Sequence, residues 1–239
     1  MKKKRKNLID RAVDYVVEEI QVVKERDPAM HSPFEVFLYA SFWAVLWYRI
    51  AHRFYLKKHY IIARFISQYA RNSTGIEIHP GAKIGKGFFI DHGAGVIIGE
   101  TTEIGDNVTL FQGVTLGGTG KECGKRHPTI KDNVMISTGA KVLGSFTVGE
   151  NSKIGAGSVV LNEVPANCTV VGVPGRVVKY HNVHIPREDM VQTDLPDPVT
   201  DDITGLKHAN SEITNRLLEL ENTVRNLERK AGEKDNENL

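Results

Sequence analysis

Apolar residues recur every six positions from Ile78 to Val160, with two longer steps. This period restricts the fold more than any other feature of the chain. Because six is an even number, strand alternation places every member of the series on the same face. Gly, Ala, Asp and Asn recur between the members and permit tight corners. The series consists of Ile78, Ile84, Ile90, Ile98, Ile104, Leu110, Leu116, Ile130, Ile136, Val142, Val148, Ile154 and Val160.

A six-residue period is typical of a parallel β-helix, in which three hexads form one triangular turn and the apolar residues stack inside. An amphipathic helix does not fit, because six is not a helical spacing. Solenoids built from hexapeptides wind left-handed, contrary to the usual crossover rule. We therefore predict a left-handed parallel β-helix over residues 76–180.

Residues 1–75 show helical spacing instead. Apolar residues from Leu8 to Val23 lie three and four positions apart, and two prolines in "RDPAMHSP" then break the pattern. Helical spacing resumes over residues 34–50 and 61–69. The predicted fold class is α+β, with an N-terminal α-helical domain followed by the β-helix and a C-terminal coiled-coil-like helix.

The C-terminal part of the chain contains a heptad pattern. Residues 181–202 are polar and contain prolines, which predicts a linker. Over residues 203–230 the apolar positions alternate steps of three and four, with charged residues beside them. This pattern favours self-association over a lone helix packed on its own domain. Residues 231–239 are predicted to be disordered. The heptad positions are Ile203, Leu206, Asn210, Ile213, Leu217, Leu220, Val224 and Leu227.

Composition excludes several classes of function. A net charge of +2 over 239 residues does not predict nucleic-acid binding. The most apolar stretch, residues 34–50, contains Glu35 and Arg49 and is short for a membrane span. The basic N-terminus lacks the apolar run of a signal peptide. Cys123 and Cys168 form no disulfide or metal framework. These features predict a cytoplasmic protein.

The first interruption of the six-residue series contains a histidine. The step from Ile90 to Ile98 is eight residues, with Asp91 and His92 at the irregularity. A histidine beside a carboxylate can accept a proton near neutral pH. A break in a regular scaffold is a typical position for a functional site.

The second interruption is longer. The step from Leu116 to Ile130 is fourteen residues, which predicts an extruded loop over residues 117–128. Its "GGTG" segment leaves backbone N–H groups free to approach a phosphate or carbonyl oxygen. The loop ends at Arg126 and His127, which places a second histidine at an irregularity.

A zinc site shared between neighbouring β-helices is an alternative interpretation of these histidines. His79, His92 and His127 are the three candidates. No two of them have the spacing of a ligand pair, and the neighbouring Arg126 disfavours a cation. We therefore favour acid–base chemistry without a metal.

The motifs together resemble serine O-acetyltransferases of the hexapeptide-repeat acyltransferase superfamily. The resemblance extends from about residue 18 to residue 180. It rests on "RDPA", "IEIHPGAKIGKGFFIDHGAGVIIGE", "GVTLGGTGK", "RHP" and "KIGAGSVV…VPANCTVVGVPGR". It implies transfer of acetyl from acetyl-CoA to the hydroxyl of L-serine, which is the first step of cysteine biosynthesis from serine.

The resemblance also implies roles for individual residues. His92 corresponds to the general base that deprotonates the serine hydroxyl, and Glu77 to an aspartate that orients it. Arg126 and His127 correspond to the residues that hold the serine carboxylate, with His127 a candidate to share in proton transfer.

Further positions correspond to residues that hold the rest of the two substrates. Asp27 and Asp91 correspond to ligands of the serine ammonium group. The CoA arm is expected in a groove between neighbouring β-helices, and Cys123 is not expected to react. The candidate CoA contacts are Gly118, Thr119, Ala140, Ala156, Gly157 and Arg176.

The family assembles as trimers, and in some members as hexamers. It is commonly inhibited by L-cysteine and can bind O-acetylserine sulfhydrylase through a C-terminal isoleucine. Leu239 occupies that position here. Two alternative functions are acetylation of a sugar or another acceptor, and a scaffold role. The "RDPA" segment and the Asp91-His92 pair argue against the first of these, while a scaffold or metal protein of the β-helix type stays an alternative.

Overall fold

The computed structural model describes residues 8–27, 29–120, 123–180 and 198–236. The chain forms two compact units, residues 1–196 and 197–239. The first unit begins with helices. They are α1 (Leu8–Arg26), a 3₁₀ helix (Pro33–Leu38), α2 (Ala40–Leu56) and α3 (Tyr60–Thr74).

Local signals in the sequence set the ends of these helices. Ser32 caps the 3₁₀ helix, because its hydroxyl accepts a hydrogen bond from the Phe34 N–H, and Pro33 follows at the first helical position. α3 ends at Gly75, which adopts the left-handed conformation with φ of 72° and donates its N–H to the Arg71 carbonyl.

Fifteen short strands follow in the described part of the chain. They are β1 (Glu77–Ile78), β2 (Lys83–Ile84), β3 (Phe89–Asp91), β4 (Ile97–Ile98), β5 (Glu103–Ile104), β6 (Thr109–Phe111), β7 (Thr115–Gly117), β8 (Thr129–Ile130), β9 (Met135–Ile136), β10 (Lys141–Leu143), β11 (Thr147–Val148), β12 (Lys153–Ile154), β13 (Val159–Val160), β14 (Cys168–Val171) and β15 (Arg176–Tyr180).

The strands form three parallel faces, because every third strand stacks on the one before. The first face has the order β1-β4-β7-β10-β13, the second β2-β5-β8-β11, and the third β3-β6-β9-β12-β14. β15 pairs antiparallel with β14 at the end of the third face. The register places the predicted apolar residues directly above one another inside. On the first face these are Ile78, Ile98, Leu116, Val142 and Val160. The predicted parallel β-helix and the overall fold class are confirmed.

The three edges between the faces use different turn chemistry. The edge from the third face to the first, here called the glycine edge, repeats glycines with φ from 68° to 73°. The edge from the second face to the third, the asparagine edge, repeats asparagines with φ of 57° or 58°, which asparagine tolerates better than most residues. Asn133 and Asn151 donate side-chain hydrogen bonds to Asn151 and Asn167. The edge from the first face to the second, the loop edge, contains the extruded loop.

The helices and the β-helix share one apolar core. Ala44, Val45 and Tyr48 of α2 belong to the same buried cluster as the inward-facing residues of the strands. The Tyr48 hydroxyl also donates to the Ala82 carbonyl at 2.6 Å. Residues 1–75 and 76–180 therefore form one structural unit, although the sequence suggests a boundary between them, because the apolar face of α2 packs on the first turns.

The second unit is helix α4 (Pro198–Asn236). It begins inside the predicted linker, since proline is well suited to a first helical position, and it continues beyond residue 230 into the predicted disordered tail. Residues 181–197 of the linker and residues 237–239 lie outside the described part of the chain. None of the described helices combines the length and apolarity needed to cross a membrane.

Candidate active site

The loop edge is organised around Thr101. The Thr101 hydroxyl oxygen accepts hydrogen bonds from the backbone N–H groups of Arg126 (3.0 Å) and His127 (3.1 Å). The Lys125 ammonium group donates to the Thr101 carbonyl at 2.7 Å. At the other end of the loop, Gly118 packs against the Arg126 backbone. The loop is therefore closed at its base, which fixes Arg126 and His127 on the scaffold.

Arg126 is oriented by a carboxylate. Its Nη2 lies 2.5 Å from Glu100 Oε2, and the other Glu100 oxygen accepts a hydrogen bond from the Tyr55 hydroxyl at 2.9 Å. These two hydrogen bonds lower the pKa of the Glu100 carboxyl, with a smaller contribution from nearby charges. Glu100 is thus held ionised beside Arg126, whose side chain is 29% exposed and accessible to a ligand.

The His127 ring is held in one tautomer. Its Nδ1 accepts a hydrogen bond from the Thr101 backbone N–H at 3.2 Å and lies 2.9 Å from the Thr101 hydroxyl. Because Nδ1 accepts, the proton of the neutral ring is on Nε2. Burial, and then the Arg126 charge, lower the pKa of His127. His127 is therefore a neutral hydrogen-bond donor near pH 7.

The glycine edge contains the first interruption. His92 adopts φ of 58° and Gly93 φ of 69°, and the Gly93 and Ala94 N–H groups donate to the Asp91 and His92 carbonyls. This tight turn absorbs the additional residues and displays His92, whose side chain is 75% exposed. Its Nε2 lies 3.8 Å from Asp91 Oδ1.

Two carboxylates approach each other beside His92. Burial raises the pKa of Asp91, the Asp27 charge raises it further, and His92 opposes the shift. Tyr39 donates a short hydrogen bond to Asp27, which raises the pKa of the Tyr39 hydroxyl to about 12. Asp27 and His92 therefore both lie close enough to Asp91 to act on its charge, and the serine-binding roles of the two carboxylates stay a prediction.

Glu77 lies at the start of the first face, immediately after the glycine edge. Its Oε2 is 3.1 Å from Arg71 Nε on α3. In this structure the ion-pair partner of Glu77 is Arg71, whereas that of His92 is Asp91. The orientation of His92 by Glu77 stays a prediction.

The site residues are divided between two edges. Asp91 ends β3 and His92 follows it on the glycine edge, whereas Arg126 and His127 precede β8 on the loop edge. The whole first face lies between these edges. One chain therefore presents two half-sites, one with a candidate base and carboxylates and the other with a cation and a neutral donor.

Five of the six candidate CoA contacts lie on the same two edges, and Arg176 lies on the third face. Gly118 and Thr119 are exposed at the start of the loop, and Ala156 and Gly157 are exposed on the glycine edge. Arg176 is exposed on β15. Ala140 differs, because its side chain is completely buried in the core.

The three histidines considered for zinc do not converge. His92 is on the glycine edge, while His79 and His127 are on the loop edge. Both ring nitrogens of His79 face donors, the Arg64 guanidinium at 2.7 Å and the Gly81 N–H at 3.0 Å. Within the described residues, no three His, Cys, Asp or Glu side chains are grouped so that they could hold a metal ion.

Sequence reasoning missed Tyr55, Glu100 and Thr101. Glu100 and Thr101 could have been found from the stacking of the turns. They belong to "GET" (residues 99–101), which precedes β5, and β5 pairs with β8, which follows "RHP" at the same edge. Tyr55 lies on α2, and the hexad pattern contains no information about its position.

Comparisons with known proteins identify the family. Residues 127–162 match the family model described as bacterial transferase hexapeptide (six repeats). The serine acetyltransferase of Bacillus subtilis is 61% identical over 201 residues, which cover 84% of this chain and 92% of that protein. That of Bacillus licheniformis is 58% identical over 221 residues, or 92% and 95% of the two chains. This chain belongs to the serine acetyltransferase family.

Solved serine acetyltransferase structures have the same architecture. One in complex with cysteine has a TM-score of 0.75 at 42% identity, over 78% of this chain and 73% of that one. The Brucella abortus serine acetyltransferase in complex with coenzyme A has a TM-score of 0.69 at 40% identity, over 72% and 70%. The family resemblance predicted from the motifs is confirmed.

Proposed function

We propose that this chain transfers the acetyl group of acetyl-CoA to the hydroxyl of L-serine, giving O-acetyl-L-serine and CoA. The observation that supports this most directly is the charge arrangement of the two half-sites. Serine is a zwitterion, so its recognition requires a cation for the carboxylate and carboxylates for the ammonium group. Arg126 with His127 supplies the first, and Asp27 with Asp91 supplies the second.

The division of the site implies a complete site between two copies of the chain. We propose a trimer in which the glycine edge of one copy faces the loop edge of the next. Cyclic symmetry then forms a complete site at every interface from the two half-sites that each chain provides. A hexamer made of two such trimers is the larger assembly that fits the family.

In the proposed mechanism, His92 is the general base. It takes the proton of the serine hydroxyl as the oxygen attacks the thioester carbonyl. Backbone N–H groups of the loop or the glycine edge stabilise the resulting oxyanion. The tetrahedral intermediate collapses, the C–S bond breaks, and the proton held by His92 passes to the departing CoA thiolate. Acyl transfer is direct, so no covalent enzyme intermediate forms.

His127 acts as a donor in this scheme. Its Nδ1 is occupied by Thr101, so only the Nε2 N–H is available to a ligand. A neutral N–H donor beside Arg126 suits one oxygen of a carboxylate, while the guanidinium suits the other. This assignment favours serine binding over the proton-transfer role considered for His127.

The groove between adjacent copies is the proposed CoA site. Exposed small residues at the loop start and along the glycine edge leave room for the pantetheine arm. Arg176 offers a cation for a nucleotide phosphate. For Ala140, whose side chain faces the core, any contact is limited to the backbone.

Other partners follow from the family. The cysteine complex of a relative supports L-cysteine as an inhibitor at the serine site. O-Acetylserine sulfhydrylase is a further proposed partner, with Leu239 in place of the isoleucine that the family uses. A reducing, cytoplasmic location fits the free, exposed Cys123.

The function is tested by measuring thiol release from acetyl-CoA with L-serine and with a panel of sugars and other amino acids. We expect release that depends on L-serine, with O-acetyl-L-serine as the product. Release with a sugar but not with serine would contradict the proposal. Absence of release with every acceptor would favour a scaffold role.

Replacement of Gly99 by alanine is expected to impair serine acetylation. A Cβ at this position would lie 2.0 Å from His127 Cδ2 and 2.2 Å from Nε2, so the ring must move. Displacement of a binding group by about 1 Å lowers catalytic efficiency by about 100-fold. The measurement is kcat/KM for serine, and unchanged values would show that His127 is not part of the site. Gly205→Ala, which meets open space on α4, is the matched control.

A further inference from the structure

Helix α4 exposes a continuous apolar stripe that nothing within its own unit covers. The helix has 39 residues and is therefore about 58 Å long. Between Ile203 and Val224 its heptad apolar side chains are 46 to 70% exposed. A helix with several β-branched residues and Gly205 in its interior gains little from intrinsic propensity, so its stability depends on packing of this stripe.

We propose that the stripe pairs with the same stripe of a second copy of this chain, as a parallel, in-register, two-stranded coiled coil. The heptad assigns Ile203, Asn210, Leu217 and Val224 to position a, and Leu206, Ile213 and Leu220 to position d. β-Branched residues and one asparagine at a, with mostly leucine at d, favour two strands. Pairing within one trimer would leave one stripe of each three uncovered, so in the proposed hexamer the second copy belongs to the other trimer. The inference does not rest on the proposed acetyl transfer.

The charges beside the stripe support the parallel orientation. In a parallel coil, position g of one chain faces position e of the partner's next heptad. Arg216 at g then faces Glu221 at e, and Asp202 at g faces Lys207 at e. All of these residues are exposed. Each of these two pairs therefore joins opposite charges across the seam. In a symmetric dimer each pair occurs twice.

Asn210 supports the same register. In a parallel, in-register coil the two Asn210 side chains face each other and can form a hydrogen bond across the seam. In an antiparallel coil, position a faces position d, so Asn210 would oppose an apolar side chain and its amide would be unsatisfied at a free-energy cost.

Disulfide trapping in the full-length chain tests the proposal. The background is Cys123→Ser, which removes the exposed native thiol. Asn210→Cys places a thiol in the seam, and Asn215→Cys places one at position f on the opposite side of the helix, as the matched control. Mild oxidation of Asn210→Cys is expected to yield a species of twice the 26.6 kDa chain mass on a non-reducing denaturing gel. The control is expected to react at least about tenfold more slowly.

Each other outcome overturns part or all of the proposal. Equal cross-linking of both variants, or of neither, excludes the parallel in-register seam and favours packing of α4 on its own chain. A plateau near two thirds for Asn210→Cys shows that one thiol of each three has no partner, as in a three-stranded bundle or an isolated trimer, and overturns the pairing between trimers. Serine acetylation is expected to be unchanged in both variants, so failure here is distinguishable from failure of the proposed function.

Charge reversal tests the orientation separately. In the Asn210→Cys background, Arg216→Glu places like charges at the facing g and e positions and is expected to slow cross-linking about threefold. Adding Glu221→Arg restores opposite charges and is expected to restore the rate. A rate that is insensitive to Arg216→Glu, or that Glu221→Arg does not restore, overturns the assigned pairing.

Discussion

Replacement of His92 by alanine is expected to lower kcat for serine acetylation by about 10²- to 10⁴-fold, which is the usual contribution of a general base. The side chain is largely exposed, and its Nε2 lies 3.8 Å from the carboxylate of the neighbouring Asp91, so the fold does not depend on it. Steady-state kinetics at saturating serine and acetyl-CoA provide the measurement. Turnover near that of the unaltered enzyme would exclude His92 as the base.

Two further variants make this result specific. His92→Asn accommodates the φ of 58° at this position, so a loss shared by the alanine and asparagine variants does not arise from the backbone. His208→Ala removes an exposed histidine on α4 and is expected to have no effect. Glu77→Gln tests the predicted orienting carboxylate. A fall in kcat supports that role, and unchanged kcat leaves Glu77 as the partner of Arg71 alone.

Replacement of Arg126 by alanine is expected to reduce kcat/KM for serine by about 30- to 5,000-fold, because truncating one partner of a buried, hydrogen-bonded charge pair costs about 2 to 5 kcal/mol. The loop base is expected to survive, since Thr101 holds it through the backbone N–H groups of Arg126 and His127. The KM for acetyl-CoA is expected to change little. An equal loss with respect to both substrates would indicate a collapsed loop.

A substrate without the carboxylate sharpens this prediction. The unaltered enzyme is expected to prefer serine strongly over serinamide, and Arg126→Ala is expected to lose most of that preference. Arg126→Lys retains the charge but not the planar pair of donors, so an intermediate preference is expected. A preference that is the same in all three enzymes would contradict contact between Arg126 and the serine carboxylate.

The β-helix was predictable from sequence because each turn repeats the same local requirement. Ile78, Ile98 and Leu116 occupy equivalent positions, and the even spacing fixes their common orientation without knowledge of the rest of the chain. His92 and His127 were identifiable for the opposite reason, since both occur where this repetition fails.

The contacts around Arg126 were not predictable in the same way. Tyr55 reaches Glu100, the partner of Arg126, only because α2 packs against the first turns, and this tertiary contact has no periodic signal. The start of α4 at Pro198 was also missed, because prolines and polar residues in "DLPDPVTDD" suit a linker as well as a first helical turn.

The closed base of the extruded loop has a consequence for how substrate choice can change. Thr101, Gly118 and Arg126 join the two ends of the insertion, and the apolar series resumes in phase at Ile130. Residues between these anchor points can vary in number and type without shifting any strand above them. The loop can thus be replaced without changing the rest of the scaffold. A hexapeptide-repeat protein could acquire a new acyl acceptor in this way while His92, on a different edge, stays in position.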